Sequence, residues 1–523
     1  MSHSLNRANS RRPSPHSLLG IAIVAAVFAV NVYRSTHQSI TADEAFTWDW
    51  YIANPFQWIL VVYNANNHVL HTLLCRLSVR ALGLSELTMR LPSLAGGLFY
   101  LAFVYKLCRL LFNHLRTFLL AMTALTLNPF IMDYLSAARG YGMALGFFTA
   151  ALYFVIRFFE DEREAANTNR VILAAVLLGL SISANLVFLF PAIAVAITIT
   201  GLGLIGAPGG ARTRTLLWMI SRFWLPFAVL AVVFLAVPLA HAKKDAFYYG
   251  GNSLLETTLS MVQQSFFHPD NAWRADTTPA IIIRSIDIIA RWAVPAILVL
   301  VFAALIPVCL RWLRARDFRA LGALDRAYVV IAVVLAISLG MLIAAHRLAG
   351  MAYPLDRTAI YLVALLTLEC MLLVAYLQNA PNLHPAIRIL SSAPAVIALV
   401  IFLRGFTTSY YYVWRYDAGT QRIFHLLEGQ PQFNASKPMR VGADWRFDFS
   451  LNFYRQMYHA DWLARVLRDP PPEAGGFDYY LLLPEDEEST RKLGLRVIYR
   501  DPISDQELAV PSRRPAVSSK GRF

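Results

Sequence analysis

The sequence predicts an all-α polytopic membrane bundle of about 11 transmembrane helices, joined to a small C-terminal α/β extramembrane domain. Three observations predict it. Of 523 residues, 57% are hydrophobic and only 15% charged, with mean hydropathy +0.48, too apolar and too long for one soluble core. Apolar runs of spanning length recur up to Leu403 without strand-like alternation, so helices rather than a closed barrel are expected to satisfy the backbone in lipid. After Leu403 no run of that length recurs, and short β-like stretches replace them.

In chain order the expected spans are Leu18 to Tyr33, Leu91 to Phe112, Leu115 to Met132, Met143 to Phe159, Val171 to Asn185 and Val187 to Gly206. They continue with Phe223 to Ala240, Trp292 to Leu310, Ala327 to Ala345, Thr358 to Tyr376 and Ile389 to Leu403. The first reads as a retained anchor, because Tyr33-Arg-Ser-Thr-His37 lacks the small-residue pattern of a cleaved signal peptide. Arginine sets the orientation. Arg212, Arg214 and Arg222 share one connection, and Arg311, Arg314, Arg316, Arg319 and Arg326 share another, both on the N-terminal side if spans alternate. That places the N-terminus in the cytoplasm. Much of the net charge of +14 is this topological signal, so no nucleic-acid partner is expected. Cys75, Cys108, Cys309 and Cys370 sit in or beside apolar segments without metal-ligand spacing and read as packing residues.

The expected organisation is a transmembrane domain over residues 1–404, an extracytoplasmic α/β domain over 405–510 and a disordered tail over 511–523. Two outward loops stand out. Within residues 34–90 the run from His68 to Arg80 places charge on one helical side and reads as an amphipathic helix along the membrane surface. Residues 241–283 carry His241, Lys243, Lys244, Asp245, His268, Asp270 and Arg274, and are long enough for a lid or a loose connector. Within the C-terminal domain, Met439 to Ala443, Asp478 to Leu483 and Leu495 to Tyr499 read as strands. No internal repeat is visible, which weighs against a transporter.

The chemistry concentrates just after the first span, where Thr41-Ala-Asp-Glu-Ala-Phe-Thr-Trp48 puts Asp43 and Glu44 at the membrane rim. A carboxylate there can act as a general base or hold a divalent cation, so Mg²⁺ or Mn²⁺ stays open. Downstream, Tyr63-Asn-Ala-Asn-Asn-His68 and His71 gather amides and imidazoles on the same side; Asn67, His68 and His71 are candidate substrate ligands. Asn434-Ala-Ser436 is a short sequon match of low specificity, and Glu160 to Glu164 reads as a solvated loop. No Gly-rich nucleotide loop or Asp-x-Asp motif lies in a soluble segment.

The Asp-Glu pair, the Asn-Asn-His segment, Leu84-Ser-Glu-Leu-Thr-Met-Arg-Leu-Pro-Ser93 and Ala137-Ala-Arg-Gly-Tyr-Gly-Met-Ala144 together resemble the GT-C superfamily of membrane glycosyltransferases. The likeness runs over roughly residues 18–400 and is nearest to the branch of protein mannosyltransferases and aminoarabinose transferases. It implies a polyprenyl-phosphate sugar donor, a lipid, glycan or protein acceptor bound from outside, and inversion at the anomeric carbon. By that resemblance Asp43 is the base, its basicity raised by a partly dehydrated rim, with Glu44 orienting it or binding acceptor. The departing phosphate needs fixed cations. Arg139 and Arg357, the latter in Tyr353-Pro-Leu-Asp-Arg-Thr358, are the first candidates, ahead of Lys243, Lys244 and Arg347; Arg139 could instead pair with Asp133. The active site and C-terminal domain are then extracytoplasmic, at a bacterial inner membrane. The competing readings are a lipid or solute transporter and a phosphoethanolamine-type transferase, for which His425, His459, Asp444 and Asp461 are too scattered to form a metal centre.

Overall fold

A computed structural model describes residues 14–160, 164–243, 249–266, 280–428, 430, 433–469 and 472–512. Among them, ten helices are long and apolar enough to cross a membrane, and an eleventh arises if one bent pair counts as a single span. The chain is a multi-pass helical membrane protein with a small C-terminal sheet, as its composition predicts.

The first elements are α1 Pro15–His37, α2 Ala42–Thr47, α3 Trp58–Val61, α4 Val69–Leu82, α5 Glu86–Leu111, α6 Leu115–Thr126, α7 Pro129–Ser136 and α8 Tyr141–Phe158. The expected straight span from Leu115 to Met132 is instead the pair α6 and α7, bent by 58°. Asn128 accepts hydrogen bonds from the Phe130 and Ile131 backbone N–H groups, and Pro129 opens the new helix, so a cap and a missing donor restart the chain in a new direction. Every residue of α7 is buried. It therefore runs inside the bundle and delivers Ala137, Ala138 and Arg139 to its end.

α5 and α8 approach closely because small residues line the contact. A Cβ on Gly96 would lie 2.5 Å from Met143 Cα, and one on Gly146 would lie 2.7 Å from the Gly96 carbonyl oxygen. This fixes the Arg139 turn, at the start of α8, relative to Arg90 on α5. Counting α6 and α7 as one span, the connections after spans one, three, seven and nine, and the chain after span eleven, meet at one end of the bundle: Asp43 neighbours Arg139, Arg357 and Trp414 there, and Arg357 neighbours Tyr249.

The amphipathic helix is α4. Its Val69, His71, Thr72, Cys75, Arg76 and Val79 side are buried, while Leu77 and Leu82 are exposed. Arg76 donates to the carbonyls of Tyr51, Ile52 and Asn54 at 2.9, 3.1 and 2.6 Å, tying the loop before it to the helix. Of the second outward loop, Lys244, Asp245, His268, Asp270 and Arg274 lie outside the described residues.

The C-terminal sheet has the order β1-β2-β4-β3. β1 Val441–Ala443 runs parallel to β2 Tyr479–Leu482, and β4 Glu507–Pro511 is antiparallel to both β2 and β3 Leu495–Arg500. β4 was not expected from the sequence, and its last residue, Pro511, falls in the segment expected to be a tail; residues 513–523 lie outside the described residues. Helices Thr420–Glu428 and Asp448–Met457 pack on this sheet through Phe424, Leu451 and Tyr454, and the same apolar cluster takes in Ile40, Ala45, Ile52 and Met89 from the first outward loop. The domain and that loop share one core.

Candidate active site

Glu44 is the frame of the site. Thr41 caps α2, accepting from the Glu44 N–H at 3.3 Å, while Glu44 Oε2 accepts from the Thr41 N–H at 2.9 Å. Arg90, wholly buried on α5, donates to both carboxylate oxygens at 2.9 and 2.7 Å and to the carbonyls of Ser35, Gln38 and Ser39. Glu44 Oε1 also accepts from the Ala138 N–H. Burial pushes the Glu44 carboxyl up, but Arg90 and these N–H groups more than reverse it and leave it below the ordinary range. The Glu44–Arg90 pair thus joins the end of α1, α2, α5 and the turn before α8. Replacing Glu44 by Gln leaves Arg90 buried without a counter-charge, and removing one partner of such a pair costs about 3–5 kcal/mol. Denaturant unfolding in detergent is expected to show that loss; an unchanged midpoint would count against the framing role.

With Glu44 held on one side of the short helix, Asp43 faces the other. Asp43 Oδ2 lies 3.4 Å from Arg357 Nη1 and 3.8 Å from Arg139 Nη2, yet accepts no hydrogen bond of good geometry. Asp43 Oδ1 accepts from Asn66 Nδ2 at 3.4 Å, and the Trp414 indole lies beside the carboxylate. Burial raises this carboxyl, and Arg139 and Arg357 overcome burial, so its pKa is lowered. This departs from the sequence expectation of a base strengthened by dehydration: the two guanidiniums, not the dry rim, decide the sign.

Arg139 is buried and spans the gap between the acid and the first loop, donating to Asn66 Oδ1 at 2.7 Å, to the Asp43 carbonyl at 3.3 Å and to Thr47 Oγ1 at 3.4 Å. It does not pair with Asp133, which is taken by Arg34 and by the Tyr412 N–H at 2.8 Å. Gly140, next to Arg139, has an ordinary φ of −63°; what requires glycine is packing. A Cβ there would overlap the Ala184 carbonyl oxygen and press on His68 Cβ. Gly140→Ala is expected to cost about 1–3 kcal/mol through overpacking and to displace Arg139, read as a lower melting midpoint together with slower turnover.

Arg357 sits 20% exposed at the start of its span, its guanidinium 5.3 Å from the centre of the Tyr249 ring. The preceding Asp356 adopts φ +45°, a left-handed conformation rare outside glycine, and is held there by Tyr249 Oη, by Gln264 Nε2 at 3.3 Å and by its own N–H to Ser260 Oγ at 2.9 Å. Residues 249–266 therefore set the aim of Arg357.

The three candidate ligands after the first loop separate. Asn67 Nδ2 donates to the Ile59 carbonyl at 2.8 Å, and His71 Nε2 meets Ser93 Oγ at 2.8 Å. His68 packs edge-on against Tyr141 with its Nε2 buried and unpartnered. Burial and the neighbouring Arg139 lower both imidazoles, His71 to about 3, so both are neutral at ordinary pH. The amide that touches the charged centre is Asn66, one residue before the predicted one. Lys243 and Arg347 are exposed and make no ion pair with Asp43.

Among the described residues no group of three or more His, Cys, Asp or Glu side chains is placed to hold a metal ion. Asp43 and Glu44 do not fit one as a pair: the Glu44 oxygens are taken by Arg90, Thr41 and Ala138, and Asp43 faces two cations.

No protein-family model matches the chain, and no curated protein matches it in sequence. Solved structures that resemble it include ArnT from Cupriavidus metallidurans bound to undecaprenyl phosphate, at 15% identity and TM-score 0.43, covering 97% of this chain and 99% of that one. The archaeal oligosaccharyltransferase AglB from Archaeoglobus fulgidus, in complex with an inhibitory peptide and a dolichol-phosphate, resembles it at 12% identity and TM-score 0.43, covering 83% and 63%. Arabinosyltransferase EmbB from Mycobacterium smegmatis does so at 14% and TM-score 0.34, covering 81% and 44%.

Proposed function

We propose that the chain is a GT-C-type membrane glycosyltransferase that moves a sugar from a polyprenyl-phosphate donor to a lipid, glycan or protein acceptor on the extracytoplasmic side. One observation carries this reading: a rim carboxylate, Asp43, has one oxygen without a hydrogen-bond donor and two guanidiniums within 4 Å of it. A base and cations for a leaving anion are the two groups that glycosyl transfer from a lipid phosphate requires.

In this mechanism Asp43 Oδ2 accepts the proton of the acceptor hydroxyl as its oxygen attacks the anomeric carbon. The bond from that carbon to the phosphate oxygen breaks on the opposite face, giving inversion, and its electron pair stays on the lipid phosphate. Arg357, the more exposed cation, takes that charge, with Arg139 behind it. Glu44 and Arg90 hold the loop, Asn66 aims the acid, and His68 Nε2 is free to meet a substrate hydroxyl. Asn67 and His71 serve the loop's shape. By span counting the arginine-rich connections lie at the other end of the bundle, which supports a cytoplasmic N-terminus and an outward site.

The transporter reading has one observation in its favour, Glu369, wholly buried midway along the span Asp356–Asn379 with both carboxyl oxygens unpartnered. The deciding experiment offers membranes containing the protein a panel of radiolabelled polyprenyl-phosphate sugars with envelope extracts as acceptors. Label moved to a non-donor product supports the enzyme. No transfer with any donor, alongside lipid or solute flux that depends on Glu369, would reverse the reading.

A further inference from the structure

The chain after the last span does more than lead into the C-terminal domain. The Tyr412 N–H donates to Asp133, Trp414 lies against Asp43, and five residues after Tyr412 comes Asp417, 1% exposed. Its two oxygens accept from Thr420 Oγ1 at 2.5 Å and Ser450 Oγ at 2.7 Å, which belong to the two helices that cover the sheet. The same carboxylate faces the backbone N–H of Ala42, the residue immediately before Asp43. Ala42 opens α2, so its N–H has no partner within the helix and needs one from elsewhere.

We propose that Asp417 is a positioning residue for the general base, a strut by which the C-terminal domain fixes the start of α2 and hence the aim of Asp43. The proposal rests on the reading of Asp43 as that base. An amide at this position would keep one acceptor oxygen and turn the other into a donor, so only the carboxylate can accept on both sides. The ionised form can accept from Ala42, Thr420 and Ser450 together, whereas the protonated form turns one oxygen into a donor and releases one of them. Burial pushes this carboxyl up to about 7, against the pull of the Ser450 and Thr420 hydroxyls and of Ala42, with a small further push from Glu44. The other charged groups on the elements packed around it are themselves paired: Glu44 with Arg90, Asp448 with Arg468, and Asp501 with Arg422; Tyr416 adjoins it on its own turn. The strut is therefore complete above about pH 7 and lost as pH falls through that value. Asp43, lowered by its arginines, contributes no titration there.

The test measures transfer by the full-length protein in lipid nanodiscs from pH 5 to 9 at limiting donor, where Asp43 in the free protein still faces both arginines. Wild type is expected to lose turnover on the acid side with a midpoint near 7. Asp417→Asn is expected to be slower by about 10- to 100-fold at pH 8 and flat across that range, with unchanged KM for the donor. Ser450→Ala removes a donor to the ionised form, so its acid limb is expected to move to higher pH while the protein stays folded. An acid limb that persists unchanged in both variants overturns the strut. Asp43→Asn run beside them separates the two readings: if it transfers at the wild-type rate, the base assignment has failed, whereas an essential Asp43 with an unmoved limb in the Asp417 and Ser450 variants sinks the strut alone.

Discussion

Asp43→Asn is expected to lower the rate of sugar transfer by about 10²- to 10⁴-fold, the usual contribution of a positioned general base, while the protein still inserts and folds. The amide keeps the size of the side chain and can still meet Asn66, but it leaves Arg139 and Arg357 without their counter-charge, so a lower melting midpoint is expected beside the lost chemistry. What it loses is the ability to take the hydroxyl proton. The ion-pair geometry adds a pH prediction. Arg139 and Arg357 hold Asp43 below its ordinary value of 3.8, so the free protein carries an ionised base throughout the neutral range. The same cations make it a weak base. A donor phosphate set against Arg357 draws off part of that positive charge, and the carboxylate's pKa rises toward what burial alone would give. Its acid limb is therefore expected at higher pH in turnover at saturating donor than in kcat/KM for the donor. Equal limbs would mean that the phosphate does not share the arginine, and undiminished transfer by the variant would remove Asp43 from the chemistry.

How much of this was legible before the structure depends on whether a residue's role follows from its place in the chain or from its partner. Asp43, Arg139 and Arg357 each fall in a connection on the same side by simple counting of spans, and the structure brings both arginines within 4 Å of Asp43. Counting finds the neighbourhood, not the pairing. Arg90 meets Glu44 across 46 positions, and Arg34 meets Asp133 across 99, and neither arginine carries a local mark that distinguishes it from an interfacial anchor. Asn66 was passed over for Asn67 because the turn before α4 has no period from which to read which amide points inward. The bend between α6 and α7 was written in Asn128-Pro129, a cap followed by a helix-opening proline, but continuous hydropathy masked it. β4 escaped because Glu507 and a terminal proline do not read as a central strand, and only its place between β2 and β3 gives it neighbours on both sides. Trp414 falls in Ser409-Tyr-Tyr-Tyr-Val-Trp-Arg415, a tyrosine-rich run that reads as an interfacial belt, and nothing local ties it or the nearby Asp417 to Asp43 some 370 residues earlier.

Arg357→Ala is expected to produce the second large loss, about 10²- to 10³-fold in kcat/KM for the donor, on the scale of removing one electrostatic stabiliser of a developing anion. The two arginines are not equivalent, and the geometry says which one the phosphate needs. Arg139 is buried and engaged with Asn66, Thr47 and the Asp43 carbonyl, so its removal also loosens the loop. Arg357 has 20% of its side chain exposed, an ion pair with Asp43 and a neighbouring tyrosine face against which to lie. It can turn to an incoming phosphate without undoing the fold. Arg357→Lys keeps the charge but loses the planar fork and its stacking on Tyr249, so it is expected to recover only part of the rate. The loss should divide between KM and kcat, because the phosphate is already anionic in the donor and gains further charge as the sugar leaves. Binding of polyprenyl phosphate alone, followed by isothermal titration in detergent, isolates the first part. If Arg357→Ala binds that lipid as tightly as wild type and turns over donor at the same rate, the phosphate lies elsewhere, and Arg139 becomes the cation to test.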